Sequence, residues 1–175
     1  LVTITNAPPA ASLTITPAPA TLPEPGGTVQ FTVAIANTSA AEAVTLSALT
    51  DSRYGTLTTV GGAVTATTCS VPQTLAPAGQ PHATYQCTFT TLLTGAPGAY
   101  ANTVLATVSD DDGGTLQVEQ SSNVEISDLP SSLLVTKRAT PNALPEPGGP
   151  VTFTVTVRNT SAVDAVRVDR LFDDQ

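Results

Sequence analysis

Apolar and polar residues alternate in short bursts along this chain. Val29, Phe31, Val33 and Ile35 take every second place with Gln30, Thr32 and Ala34 between them, the period of a strand with one buried face. The same alternation runs through Leu13 to Thr16, through Tyr85, Cys87, Phe89 and Leu93, through Val104, Ala106 and Val108, and along Leu116 to Ile126. Val44 and Leu46 continue a buried face, but Leu49 falls out of phase with them, which predicts a bulge near Ala48. Turn formers separate the bursts: Pro23-Glu24-Pro25-Gly26-Gly27, Asn37 to Glu42, and the hairpin Asp110-Asp111-Asp112-Gly113-Gly114. Pro17 and Pro19 end the first strand in an edge-like, extended segment. Ser52 to Pro81 reads more weakly, as Gly, Thr, Ala and Pro, with short strands predicted at 56–58 and 63–68. No helical stripe interrupts this pattern, so the chain is all-β.

The pattern occurs twice. Leu22-Pro23-Glu24-Pro25-Gly26-Gly27, the alternating strand, Asn37-Thr38-Ser39 and Asp51 return as Leu144-Pro145-Glu146-Pro147-Gly148-Gly149, Val151 to Val157, Asn159-Thr160-Ser161 and Asp173, at a constant offset of 144 − 22 = 122. A gapless self-match at that spacing marks tandem domains. Leu1 to Asn6 aligns with Asn123 to Asp128 at the same offset. The expected organisation is therefore the last strand of a preceding repeat and a linker (1–10), a complete repeat (11–128) and the first part of the next (129–175). About seven antiparallel strands per unit point to tandem immunoglobulin-like β-sandwiches, joined too closely for anything but end-to-end neighbours.

Composition narrows the function classes. Aromatics are 4% of the residues, leaving Val, Ile, Leu and Ala to build each core. Net charge is −8, and within 11–128 Arg53 is the one Lys or Arg among nine carboxylates, which disfavours nucleic acid and anionic membrane surfaces as partners. No apolar run is long enough for a transmembrane helix. Cys69 and Cys87 are an even pair at short spacing without neighbouring zinc ligands, so a disulfide is favoured over two buried thiols; the bridge implies an oxidising compartment. His82 is the one histidine, it sits between Pro81 and Ala83, and neither a nucleophile elbow nor a phosphate loop accompanies it. The chain reads as non-enzymatic.

The ordered set Leu-Pro-Glu-Pro-Gly-Gly, alternating strand, Asn-Thr-Ser, Asp51-Ser52-Arg53-Tyr54-Gly55, Cys69-Ser70-Val71-Pro72-Gln73 and Tyr85-Gln86-Cys87-Thr88-Phe89 resembles the immunoglobulin-like conserved repeats of very large bacterial and archaeal surface proteins. The resemblance implies extracellular stalks, adhesin shafts or fibres whose partners are neighbouring repeats of the same chain, and it brings no catalytic residues. Alternatives are a filament subunit completed by strand donation between copies, and an adhesin or glycan-binding module.

Three further chemistries follow from the residues. Clustered carboxylates repel unless a cation lies among them, and Ca²⁺ takes six to eight oxygen ligands. Glu24, Asp51 and Asp128 of one unit are thus candidate calcium ligands together with the Asp110, Asp111 and Asp112 hairpin of the next, the recurrence of Glu24 and Asp51 as Glu146 and Asp173 motivating the idea. The competing reading is a solvated hairpin and carboxylates that cap backbone amides. Asn37 and Asn159 open Asn-Thr-Ser sequons that also suit a plain turn. A Lys–Asn amide cross-link is excluded within 11–128, which has no lysine; Lys137 belongs to the next copy.

Overall fold

In the computed structural model, which describes residues 2–3 and 6–174, every regular element is a strand and the chain divides into two compact units, Leu1–Asp128 and Leu129–Gln175. The strand expected at Leu1 to Asn6 falls largely on residues 1, 4 and 5, outside the described ones.

The first unit is an antiparallel sandwich of immunoglobulin type. One sheet has the order β1 (Ala11–Ala18), β3 (Gly26–Asn37), β8 (Thr84–Thr94), β6 (Val64–Thr67). The other runs β2 (Thr21–Pro23), β10 (Thr115–Ser127), β9 (Gly98–Ser109), β4 (Val44–Asp51), β5 (Gly55–Thr56), with β7 (Gln73–Leu75) also on β4. Among the described residues ten strands replace the expected seven because β2, β5 and β7 are two- or three-residue pieces; seven strands have four residues or more. β7 and β2 carry too few alternating positions to register as a period. β1 lies at a sheet edge and runs through Pro17 to Ala18, past the expected end at Thr16, because an edge strand tolerates a proline on its open side; the chain then crosses to the other sheet, where Thr21–Pro23 runs parallel to the end of β10.

The alternation read from the sequence decides what is buried. Val29, Phe31, Val33 and Ile35 of β3 meet Leu46, Leu49, Val104, Val108, Val124 and Ile126 of the facing sheet, all fully or almost fully buried. Phe31 and Phe89 stack with ring centroids 4.9 Å apart, and Tyr54 tilts against both at 5.8 and 5.9 Å. Each such side chain contributes about 1.5–3 kcal/mol by leaving water. The register slips between Leu46 and Ala48 where β4 pairs with β9, and the slip returns Leu49 to the core. The turn after Pro25 depends on glycine: Gly26 has φ +106°, and a Cβ there would lie 2.1 Å from the Leu93 carbonyl oxygen.

The second unit holds the hairpin β11 (Leu133–Thr140) and β12 (Thr152–Asn159). Its pairing Lys137↔Val155 repeats Ile15↔Val33 of the first unit, and Gly148 at φ +99° repeats Gly26.

Candidate functional site

The positions singled out by sequence fall into four separate environments. The first is the disulfide. Cys69, in the loop between β6 and β7, bonds to Cys87 on β8 with Cα atoms 4.9 Å apart, so the loop is tied to a central strand. Tyr85, two residues before Cys87, accepts the Ser70 amide on its hydroxyl at 2.8 Å, fixing the loop a second time. In the chain-entropy picture a bridge across this spacing stabilises by about 3 kcal/mol.

The second environment is the Asn37 turn. Asn37 is 3% exposed; its Nδ2 donates to the carbonyls of Glu42 (2.7 Å), Ala76 (3.0 Å) and Leu75 (3.2 Å), and its Oδ1 accepts the Ser39 amide at 2.9 Å. An amide nitrogen committed to three carbonyls favours the turn reading of Asn37 over the sequon reading. Asn159 is exposed and makes the same local bonds, Nδ2 to the Asp164 carbonyl at 2.7 Å and Oδ1 from the Ser161 amide at 2.9 Å. A turn brace of the same form accounts for the local bonds of both.

Asp51 forms the third. It is 5% exposed, its Oδ1 accepts the amides of Arg53 (2.8 Å) and Tyr54 (3.0 Å), and its Oδ2 accepts Asn102 Nδ2 at 2.6 Å. Asn102 Oδ1 in turn accepts Ser122 Oγ at 2.8 Å. Both carboxylate oxygens are thus engaged by donors of the fold, which is amide capping and not metal ligation. Arg53 lies over the Tyr100 ring at 5.1 Å, and burial pushes the Tyr54 hydroxyl above its ordinary pKa, the Asp51 charge adding to the rise while Arg53 opposes it. The partner Asn102 was missed in the sequence, although a signal existed: it shares the inward phase of Val104 and Val108 on an otherwise apolar face.

The fourth is the aspartate hairpin. Asp110 caps its own turn, Oδ1 accepting the amides of Gly114 (2.6 Å) and Asp112 (3.2 Å). Asp111 and Asp112 converge with Glu42, one oxygen of each within 4.8 Å of the others, along a surface cleft that Thr45 and Thr74 complete. Hard oxygen donors of this kind suit Ca²⁺, but three carboxylates are well short of six to eight ligands. Within the first unit the acidic residues lie in different places. Asp51 is inside the fold and Glu24's amide bonds the Ser127 carbonyl at 3.0 Å, just before Asp128, while Glu42, which carried no sequence signal, joins the hairpin because β4 pairs with β9.

His82 is exposed in a loop with φ 66°, and no nucleophile or second base is bonded to it among the described residues. No helix is long and apolar enough to cross a membrane.

No family model and no curated protein sequence matches the chain. Among solved structures it is similar to the ASH/PapD-like domain of human CEP192 (PapD-like domain 7), at 19% identity over 73% of this chain and 94% of that one, with a TM-score of 0.37. With so loose a likeness, the immunoglobulin-type assignment rests on the strand order and the two-sheet core.

Proposed function

We propose that these residues are a stretch of a non-enzymatic shaft of immunoglobulin-like repeats, working outside the cytosol as the stalk of a cell-surface protein or as part of a fibre. The observation that carries the reading is the repetition of one hairpin, turn and register at an offset of 122, with only residues 128–132 between β10 and β11. A linker of that length leaves little slack between consecutive domains. The Cys69–Cys87 bridge supports an oxidising compartment. An acidic first unit whose polar constellations are turn braces and caps supports a structural role over catalysis.

Electron microscopy of the native protein tests this. Extended particles with a regular beaded spacing are the expected result. Compact particles would overturn the shaft, and long polymers joined between separate chains would favour assembly by strand donation instead.

A further inference from the structure

Residues 11–23 are tied to both sheets of the first unit. β1 takes up eight pairs of the β3 ladder, from Ala11↔Asn37 to Ala18↔Gln30, and the chain then crosses so that β2 pairs with the last residues of β10. There the Glu24 amide donates to the Ser127 carbonyl at 3.0 Å, the Glu125 amide to the Ala20 carbonyl at 2.9 Å, and Ser127 Oγ to the Leu22 carbonyl at 3.2 Å. The directions of these joints matter more than their size. Ala11 pairs at the far end of β3, with Asn37, whereas Ser127 pairs with Pro23, just before β3 begins at Gly26. Tension that enters at Ala11 and leaves at Ser127 therefore acts at opposite ends of the sandwich, along its strands. Because β2 and β10 are parallel, it draws them past each other, and it draws β1 lengthwise past β3.

We propose that the first unit is a tension-bearing module: residues 11–23 are its grip, and the Cys69–Cys87 bridge limits how far it extends once the grip opens. Ladder bonds lie across the strands, so sliding strains all of them at once, whereas peeling from one end breaks them in turn. The lifetime of such a joint under load is set by its rate of unfolding. The bridge ties the loop after β6 to β8 and lies outside both joints. It adds nothing to the grip. It withholds 18 residues of chain from extension, roughly 60 Å at about 3.3–3.6 Å per residue. Cys69 and Cys87 are 4% and 3% exposed, so a reductant reaches the bridge after the grip has opened and not before. The source of the tension rests on the shaft reading. The grip does not, and compact particles in micrographs would leave it standing.

Single-molecule pulling tests this on the 175-residue chain in two geometries. Handles at the two chain ends load both joints lengthwise. A handle at the N-terminus and another on an unnatural residue at the exposed Ala40, just beyond β3, load Ala11 and Asn37 at their shared end and peel β1 away. The first geometry should give the higher rupture force for the first unit; equal forces, or a stronger peel, would overturn the proposal. A dithiol reductant should leave the end-to-end rupture force unchanged and add a step of roughly 60 Å after it. A lower rupture force, length added before rupture, or none added at all would each overturn the role assigned to the bridge. Glu125→Pro removes the amide that bonds Ala20 and should lower the end-to-end force while the peeling force stays the same. An equal fall in both would mean a general loss of stability and overturn the β2–β10 joint. Should that variant not fold, the two geometries decide without it.

Discussion

The hairpins β1–β3 and β11–β12 share sequence, register and turn, and yet differ in what they bury. Phe31, Val33 and Leu13 are 0%, 0% and 7% exposed, while their counterparts Phe153, Val155 and Val135 are 55%, 40% and 54% exposed. The difference lies in what faces them. In the first unit β8 pairs with the free edge of β3, and β4, β9 and β10 close over its apolar side. The second unit has a two-stranded sheet among the described residues. Strand pairing and turn geometry are thus local properties of this repeat, whereas the core is a property of the whole sandwich, as the marginal stability of lone hairpins leads one to expect.

The largest effect that would sharpen this contrast comes from truncating equivalent rings. Phe31→Ala removes the centre of the Phe31–Phe89–Tyr54 cluster and should destabilise the first unit by about 3–5 kcal/mol in urea melts. Phe153→Ala, at an exposed position, should stay within about 0.5 kcal/mol. Equal effects would mean that the second hairpin has a core of its own.

Next in size is the covalent tie between Cys69 and Cys87 of the first unit. The double change Cys69→Ser with Cys87→Ser should lower the stability of the first unit by about 3 kcal/mol, read from the same melts. A rise in m-value in the double variant would show in addition that the bridge compacts the unfolded chain.

The Asn turns give the third comparison. Asn37→Ala leaves the buried Leu75 carbonyl and the half-buried Glu42 and Ala76 carbonyls without this donor and should cost about 1–3 kcal/mol, whereas Asn159→Ala, at an exposed turn, should cost well under about 1 kcal/mol. Enzymatic glycan transfer attempted on the folded chain should leave Asn37 unmodified, and a glycan found there would break the assignment of a buried brace.

How much of this was legible beforehand follows the same division. Everything set by a local period was readable: the seven longer strands, the bulge that returns Leu49 to the core, the inward Cys87, the edge position of β1. What depends on which strands end up adjacent was not. Glu42 meets Asp111 and Asp112 because Thr45 pairs with Ser109, a contact between positions far apart in the chain. For Asp51 the sequence left calcium ligand and amide cap both open for the same reason. A carboxylate at a strand end looks like a surface ligand until Asn102, 51 residues further along, is seen to bond it inside the sandwich.

The smallest predicted effect is an alkaline pH dependence from a tyrosine of the first unit, in which Tyr54, Tyr85 and Tyr100 all lie. Burial is the main cause that holds the Tyr54 hydroxyl above the ordinary tyrosine value of 10.0. The folded state therefore keeps this proton at pH values where the unfolded chain gives it up. The contribution of Tyr54 is complete below pH 10.0 and is lost as pH rises from there through the higher folded value. Urea midpoints measured from neutral pH to beyond this point should fall on the alkaline side, and Tyr54→Phe should make that fall shallower while keeping the ring against Phe31 and Phe89. An unchanged slope in Tyr54→Phe would place the hydroxyl in water and move the edge of the core away from Asp51.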